Sequence, residues 1–440
     1  MRSGKLSIEL TLLWAVLAVM TVAVTPASAQ SEKILYNFSD TITPFTGPAG
    51  GLVADAAGNL YGTTYSAGST RNGTVFELSP KAGGGWTETT IYTFSGADGS
   101  GPMGSMLLDA AGNLYGTTLG GGAQTYGTVF QLKRDGSGGW TENVLADFDQ
   151  GSGSPTSGVI SDAAGNLYGT TVYNGGYGYG EVFKLTPGAN GTWTGQILHS
   201  FNYNGTDGVS GNSLVVDAAG NLFGTTSQGG SNDCGGVGCG MVFELSASSG
   251  GSWTEKILYS FSDSGTNGIE PEAGLVLDAA GNLYGTTTIG GAGPCHPPYG
   301  YYGCGTVYEL MPSGSGWTEK TLYNFHGRDG YQPLGLTFDA AGNLLGITEN
   351  GGNTQSTCTD GWYGCGTVFR LTPQSHGGWT ESVLHIFSEA GRFTKDRDGI
   401  IPRATLIVDA SGNIYGTTSE GGNYGGYLDY DGGTVFEITP

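Results

Sequence analysis

Positive charge is scarce in this sequence. Its 440 residues include 16 Lys and Arg against 38 Asp and Glu, a formal net charge of −22. A phosphate backbone needs a basic face to bind, so nucleic acid is excluded as an expected partner. No sustained helical period of apolar residues occurs, which argues against α and α/β folds. Beyond the first thirty residues there is no long apolar run, so no membrane span is expected there. Catalytic signatures are missing too: the chain has no G-x-S-x-G elbow, no H-E-x-x-H pair and no phosphate loop. The 5 histidines are scattered, and His199 and His385 read as surface or packing residues of strands.

What is present begins with a leader. Arg2 and Lys5 precede the apolar run LTLLWAVLAVMTVAV, and Ala27-Ser28-Ala29 offers small residues for cleavage. Residues 1–29 are therefore expected to be a signal peptide, and residues 30–440 one exported domain in an oxidising place. The acidity suits solubility and would permit cation binding without requiring it.

The phrase DAAGNLYGTT (Asp109–Thr118) recurs seven times, starting at Asp55, Asp109, Asp162, Asp217, Asp278, Asp339 and Asp409. One copy has Phe223 for Tyr, one has Leu345 and Ile347, and the last reads DASGNIYGTT. Each copy sits in a unit of four strand-like segments, a to d, bounded by Gly-rich turns. In the second unit these are SMLLD, NLYGTT, GTVFQL and WTENVLADF. The phrase itself predicts the a–b hairpin, with Asp accepting from turn amides and Gly in the left-handed position.

Spacing separates two faces. From the strand-d Trp to the strand-d Phe is always eight residues, as from Trp86 to Phe94. The b–c gap, from the second Thr of the phrase to the Gly opening strand c, runs 9, 9, 9, 14, 18, 18 and 15 residues. One face thus carries constant tight turns and the other all the variation, and variable loops on a rigid scaffold usually carry function. The last unit stops at GTVFEITP, while SEKILYNF near the start matches the strand d of Ser252–Phe261. The expected fold is an all-β, seven-bladed β-propeller with four antiparallel strands per blade, its ring closed by the N-terminal strand. Trp86, Trp140, Trp193, Trp253, Trp317 and Trp379, one per unit at constant register, read as packing between blades.

All six cysteines fall in b–c loops: Cys234 with Cys239, Cys295 with Cys304, and Cys358 with Cys365. Three local disulfides are expected. The same loops are rich in aromatic residues, and the ligand-binding candidates are Tyr177, Tyr179, Tyr299, Tyr301, Tyr302, Trp362, Tyr363, Tyr427, Asp429 and Tyr430. Flat rings beside Asp and Asn suit stacking on sugars and hydrogen bonding to hydroxyls. The d–a connectors carry Asp98, Asp329 and Asp398 before Gly and a following Pro. These carboxylates are expected at the channel rim and are the metal candidates, with calcium the ion they suit; no other cofactor is expected.

The repeat LxxDAAGNLYGTTxxGG…GTVFxL…GWTExxLYxF resembles the tandem repeat of GloVer-containing, choice-of-anchor exported bacterial proteins, over Glu32 to Pro440. That resemblance implies an extracellular repeat protein with no established activity and a variable C-terminal anchoring segment. No apolar tail follows strand c here, so free secretion or periplasmic residence is expected. The reading is a non-catalytic, monomeric binding propeller holding a glycan, peptide or cell-wall component on its variable face. Its rivals are an exported lyase or glycoside hydrolase with acid/base residues at the channel mouth, and a self-associating surface protein. Buried, paired carboxylates at that mouth would favour the enzyme.

Overall fold

The computed structural model describes residues 31–38, 47–231, 233–263, 267–295, 303–314, 316–352, 364–388, 398–422 and 432–439. Across them the chain forms a seven-bladed β-propeller of antiparallel sheets. In blade two, strand a is the pair of segments Ser100–Pro102 and Leu107–Leu108. Strand b is Leu114–Gly120, c is Thr128–Arg134 and d is Trp140–Asp147, hydrogen-bonded in that order. In blade five the first part of strand a makes its own small ladder, Gly268–Ile269 with Ile289–Gly290. Among the described residues no helix is long and apolar enough to cross a membrane.

Ser31–Asn37 pairs antiparallel with Thr434–Thr439, Ser31 opposite Thr439 and Asn37 opposite Thr434. This strand completes blade seven and closes the ring, as its likeness to the other d strands predicts. The added strand covers the otherwise open edge of Thr434–Thr439, and closing the ring buries the two blade faces that an open array would leave exposed at its ends.

Each residue of the repeated phrase has a physical job. In blade two, Asp109 Oδ1 accepts from the Ala111 and Asn113 amides at 2.9 and 2.8 Å. Its Oδ2 accepts from the Asn113 side chain at 2.7 Å and the Tyr115 hydroxyl at 3.0 Å. Gly112 has φ +82°, the left-handed conformation the turn requires. At Gly116 a Cβ would stand 2.5 Å from Cζ of Phe130, so glycine is what lets that ring lie flat under strand b. Thr117 donates to the Ser157 carbonyl of the next blade at 2.8 Å, and Thr118 shares a hydrogen with Thr128 at 2.9 Å.

Aromatic pairs join every blade to the next. The strand-d Phe of one blade meets the strand-c ring of its neighbour seven times round the ring, from Phe38–Phe76 at 4.9 Å to Phe201–Phe243 at 5.4 Å. Each Trp packs edge-on against the strand-b aromatic of the preceding blade, as Trp140 on Tyr61 at 6.1 Å and Trp86 on Tyr415 at 6.5 Å. Burial of such rings contributes roughly 1.5–3 kcal/mol each, with about 0.5–1.5 kcal/mol more for the pair geometry. Blade six breaks the pattern with Leu345, and the neighbouring outer strand, SEKILYN, carries no Trp. Tyrosine is absent where its partner is absent.

Candidate functional site

The b–c loops and d–a connectors share one face. On it lie the four exposed large aromatic side chains of the described residues: Tyr173 (63%), Tyr177 (60%), Tyr203 (37%) and Tyr179 (36%). Three belong to the b–c loop of blade three, whose path is set by Glu181 and a left-handed Asn174 at φ 63°. Glu181 Oε1 accepts from the Gly176 amide and from the Ser200 hydroxyl, both at 2.8 Å, holding the loop down from beneath. The Tyr179 and Tyr203 rings lie 5.5 Å apart and 40° from parallel. Tyr203 is fixed by donating to the Gly236 carbonyl at 2.6 Å. The Tyr179–Tyr203 pair is therefore preformed rather than assembled on binding.

Two of the expected disulfides are present, Cys234–Cys239 and Cys295–Cys304, with Cα separations of 5.3 and 5.0 Å. Cys365 is disulfide-bonded too; its expected partner Cys358 lies outside the described residues. The second cysteine of each pair does more than close a loop. Its carbonyl accepts an amide from the next blade: Glu270 on Cys239 at 2.9 Å, Gln332 on Cys304 at 3.1 Å, Ile401 on Cys365 at 3.0 Å. Those donors sit at φ 57–58°, a strained conformation for side-chain-bearing residues that the interblade bond maintains.

At the channel mouth the ring is asymmetric. Gly47, Pro48, Ala49, Tyr65, Met103, Leu119, Arg403 and Ser419 line a largely apolar cavity of about 340 Å³. Arg403 reaches across to Glu349, its Nη2 and Nε at 2.7 and 3.1 Å from one carboxylate oxygen. Beyond that pair stand Glu270 and Glu272. Glu272 is exposed to the channel yet ringed by protein, and that enclosure pushes its carboxyl up to about 7, with the Glu270 and Glu349 charges adding to the rise. Burial alone raises Glu270.

Asp98, Asp329 and Asp398 do not form one ring at this rim. Each closes its own turn in the seam between two blades. Asp98 accepts from the Tyr92 hydroxyl at 2.6 Å and the Ser95 amide at 2.8 Å, and Asp329 from Tyr323 at 2.6 Å and the His326 amide at 2.7 Å. Asp398 lies 2.9 Å from Nε2 of His385. Against each stands a Glu from the next outer strand. Burial first, then the Asp charge, pushes Glu142 and Glu381 up to about 7. Glu32 also rises to about 7 through burial and Asp398, with His385 pulling the other way. Asp207 belongs to the same series, between His199 and Glu255.

Sequence reads those two histidines as surface or packing residues; they sit half-buried among carboxylates instead. A signal existed. The outer strands end IYTF, LYSF and LYNF in blades one, four and five, but LHSF and LHIF in blades three and six. Glu272 carried no such mark, because only the ring brings blades five and six together there. Tyr177 and Tyr179 are placed in the exposed patch. Tyr299, Tyr301, Tyr302, Trp362, Tyr363, Tyr427, Asp429, Tyr430 and residues 1–30 lie outside the described residues.

The sequence model of the Gloeobacter/Verrucomicrobia repeat matches residues 20–238 and again 235–440. A search of the curated proteins finds no match. Among solved structures, a putative oxidoreductase (glucose dehydrogenase) of Thermus thermophilus is similar with a TM-score of 0.43 at 15% identity, over 76% of this chain and 96% of that one. A gluconolactonase of Xanthomonas campestris has a TM-score of 0.39 at 13% identity, over 92% and 99%. A puromycin-hydrolyzing peptidase of Mycobacterium tuberculosis has a TM-score of 0.49 at 10% identity, over 85% of this chain and 52% of that one. No activity is carried over from any of them.

Proposed function

We propose that this chain, which belongs to the Gloeobacter/Verrucomicrobia repeat family, is an exported, non-catalytic binding propeller that holds a glycan chain on its variable loop face. The observation carrying this reading is that all four exposed large aromatic rings of the described residues lie in the blade-three b–c loop and the connector that follows that blade, with Tyr179 and Tyr203 already packed together. Exposed rings keep apolar area in contact with water until a ligand covers them, and sugar faces stack well on such rings. Disulfides in the loops support export.

The test is a glycan and polysaccharide array probed with the purified chain. Tyr173→Ala with Tyr177→Ala is expected to weaken binding tenfold or more, about 1.4 kcal/mol, with an unchanged melting temperature. Binding to no sugar, or binding that ignores both substitutions, sinks the reading and moves peptide ligands and self-association ahead of it.

A second reading has its own support at the channel mouth. Glu272, raised to about 7 beside Glu270 and Glu349, is a carboxyl poised to be protonated near neutrality, as a general acid must be. If the mouth is catalytic, a sugar that binds will also be cleaved, and Glu272→Gln will abolish cleavage while leaving binding in place.

A further inference from the structure

We propose that the two seams in which histidine replaces tyrosine, His199–Asp207–Glu255 and Glu32–His385–Asp398, are binding sites for a divalent transition-metal ion of the zinc class. In each, one imidazole nitrogen and two carboxylate oxygens converge to within 4.8 Å of one another. The spacing in the first seam is that of a coordination shell. His199 Nε2 lies 3.3 Å from Asp207 Oδ1 and 3.6 Å from Glu255 Oε1. Ligands at roughly 2.0–2.2 Å from a tetrahedral ion stand about 3.3–3.6 Å apart.

A second, independent observation is orphaned oxygen. Glu255 Oε1 in one seam, and Glu32 Oε1 and Asp398 Oδ1 in the other, are buried and accept no hydrogen bond. Glu142 Oε1 and Glu381 Oε1 in the tyrosine seams are bare as well, so what sets the two histidine seams apart is the imidazole that can complete a ligand set. Such atoms are costly to leave bare and call for a cation or a proton. The ligands are also held in place from behind. Asp207 Oδ2 accepts the Asn202 amide at 2.8 Å, and the imidazoles of His199 and His385 pack edge-on against Phe201 and Phe387 at 5.0 and 4.7 Å.

The molecule contains its own control. In the sister seams the same Asp and Glu face a tyrosine, whose hydroxyl donates to the Asp at 2.6 Å. There the Asp already has a proton donor while the facing Glu keeps one bare oxygen, and a phenol is a poor metal ligand beside an imidazole. Where histidine stands instead, a divalent cation that displaces the ring proton would gain an imidazole ligand beside two carboxylates whose charge it balances. Mixed imidazole and carboxylate donors suit zinc or cobalt, whereas calcium takes six to eight oxygens. The plain alternative is that each histidine keeps a proton and simply ion-pairs with its two acids.

Calorimetric titration of zinc into the EDTA-treated full chain, near neutral pH, separates the two. Wild type is expected to take up two ions. His199→Tyr and His385→Tyr, which restore the sister-seam residue, should each lose one ion, and the double variant both. Zinc should raise the melting temperature of wild type and leave the double variant unmoved. Cobalt should give a tetrahedral visible spectrum in wild type alone. Glu255→Gln and Glu32→Gln provide the same test if a tyrosine variant fails to fold. Equal zinc uptake by wild type and the double variant overturns the proposal. Uptake of a single ion, lost on one substitution only, overturns it for the other seam.

Discussion

At Gly116 the side chain is missing so that another can fit. A Cβ there would stand 2.5 Å from Cζ and 2.8 Å from Cε1 of Phe130, with the equivalent Gly62, Gly346 and Gly416 just as close to their own strand-c rings. Gly116→Ala is expected to destabilise the fold by about 1–3 kcal/mol through overpacking. Asp109→Ala acts by another route. It strips four hydrogen bonds from one hairpin and should also cost about 1–3 kcal/mol, with Asp109→Asn milder because one oxygen remains. Urea unfolding of the three variants checks this, and an Asp109→Ala protein as stable as wild type would refute the turn role. Burial works against ionisation of Asp109, but bonds from Asn113, Tyr115 and Ala111 outweigh it and hold the carboxyl below its ordinary range. A lowered folded pKa means that this stabilisation is present above the unfolded pKa and is lost as pH falls through the folded one.

Among the elements, the disulfide loops couple local closure to blade docking. On a chain-entropy account, bridges spanning 5 and 9 residues contribute about 2 and about 2.5 kcal/mol. The carbonyl of Cys239 also receives the Glu270 amide at 2.9 Å across the blade boundary. Breaking the bridge with Cys234→Ser and Cys239→Ser should therefore speed hydrogen exchange at Glu270 as well as within the loop. Exchange confined to the loop would show that the bridge and the interblade bond are independent. The tyrosine loop of blade three needs no bridge, because Glu181 holds it from beneath.

For the molecule as a whole, the seams and the channel mouth set an unusual pH response. Glu32, Glu142, Glu272 and Glu381 are all raised to about 7, burial being the largest cause in each. A folded pKa above the unfolded one means that the folded state holds its proton more tightly. That contribution is complete below the unfolded carboxyl pKa and is lost as pH rises through about 7. His199 and His385 are also raised, despite burial, by their carboxylate neighbours, and they act in the same direction. The turn aspartates act oppositely at lower pH. Stability measured in EDTA should therefore peak near about pH 5 and fall toward about pH 8, with each partly solvated Glu worth on the order of 1 kcal/mol. Glu142→Gln with Glu381→Gln should flatten that slope; a slope unchanged by both would remove the seams as its source.

The sequence by itself determined the number of blades, the order of strands, the constant and variable faces and the strand that closes the ring. Each of these is written in short-range spacing that repeats, and a period needs no tertiary information to be read. It also marked the loop tyrosines and three local disulfides, two of them seen whole among the described residues, because cysteines close along the chain can meet without help from the rest of the fold. Only the tertiary structure decided what meets across the seams. Glu255 comes to His199 from 56 residues away, and Asp398 to Glu32 from the far end of the chain. The carboxylates at the channel mouth likewise belong to different blades. Burial and charge depend on such neighbours, so the pairing of Asp98 with Glu142 and the raised pKa of Glu272 exist only once the ring has closed.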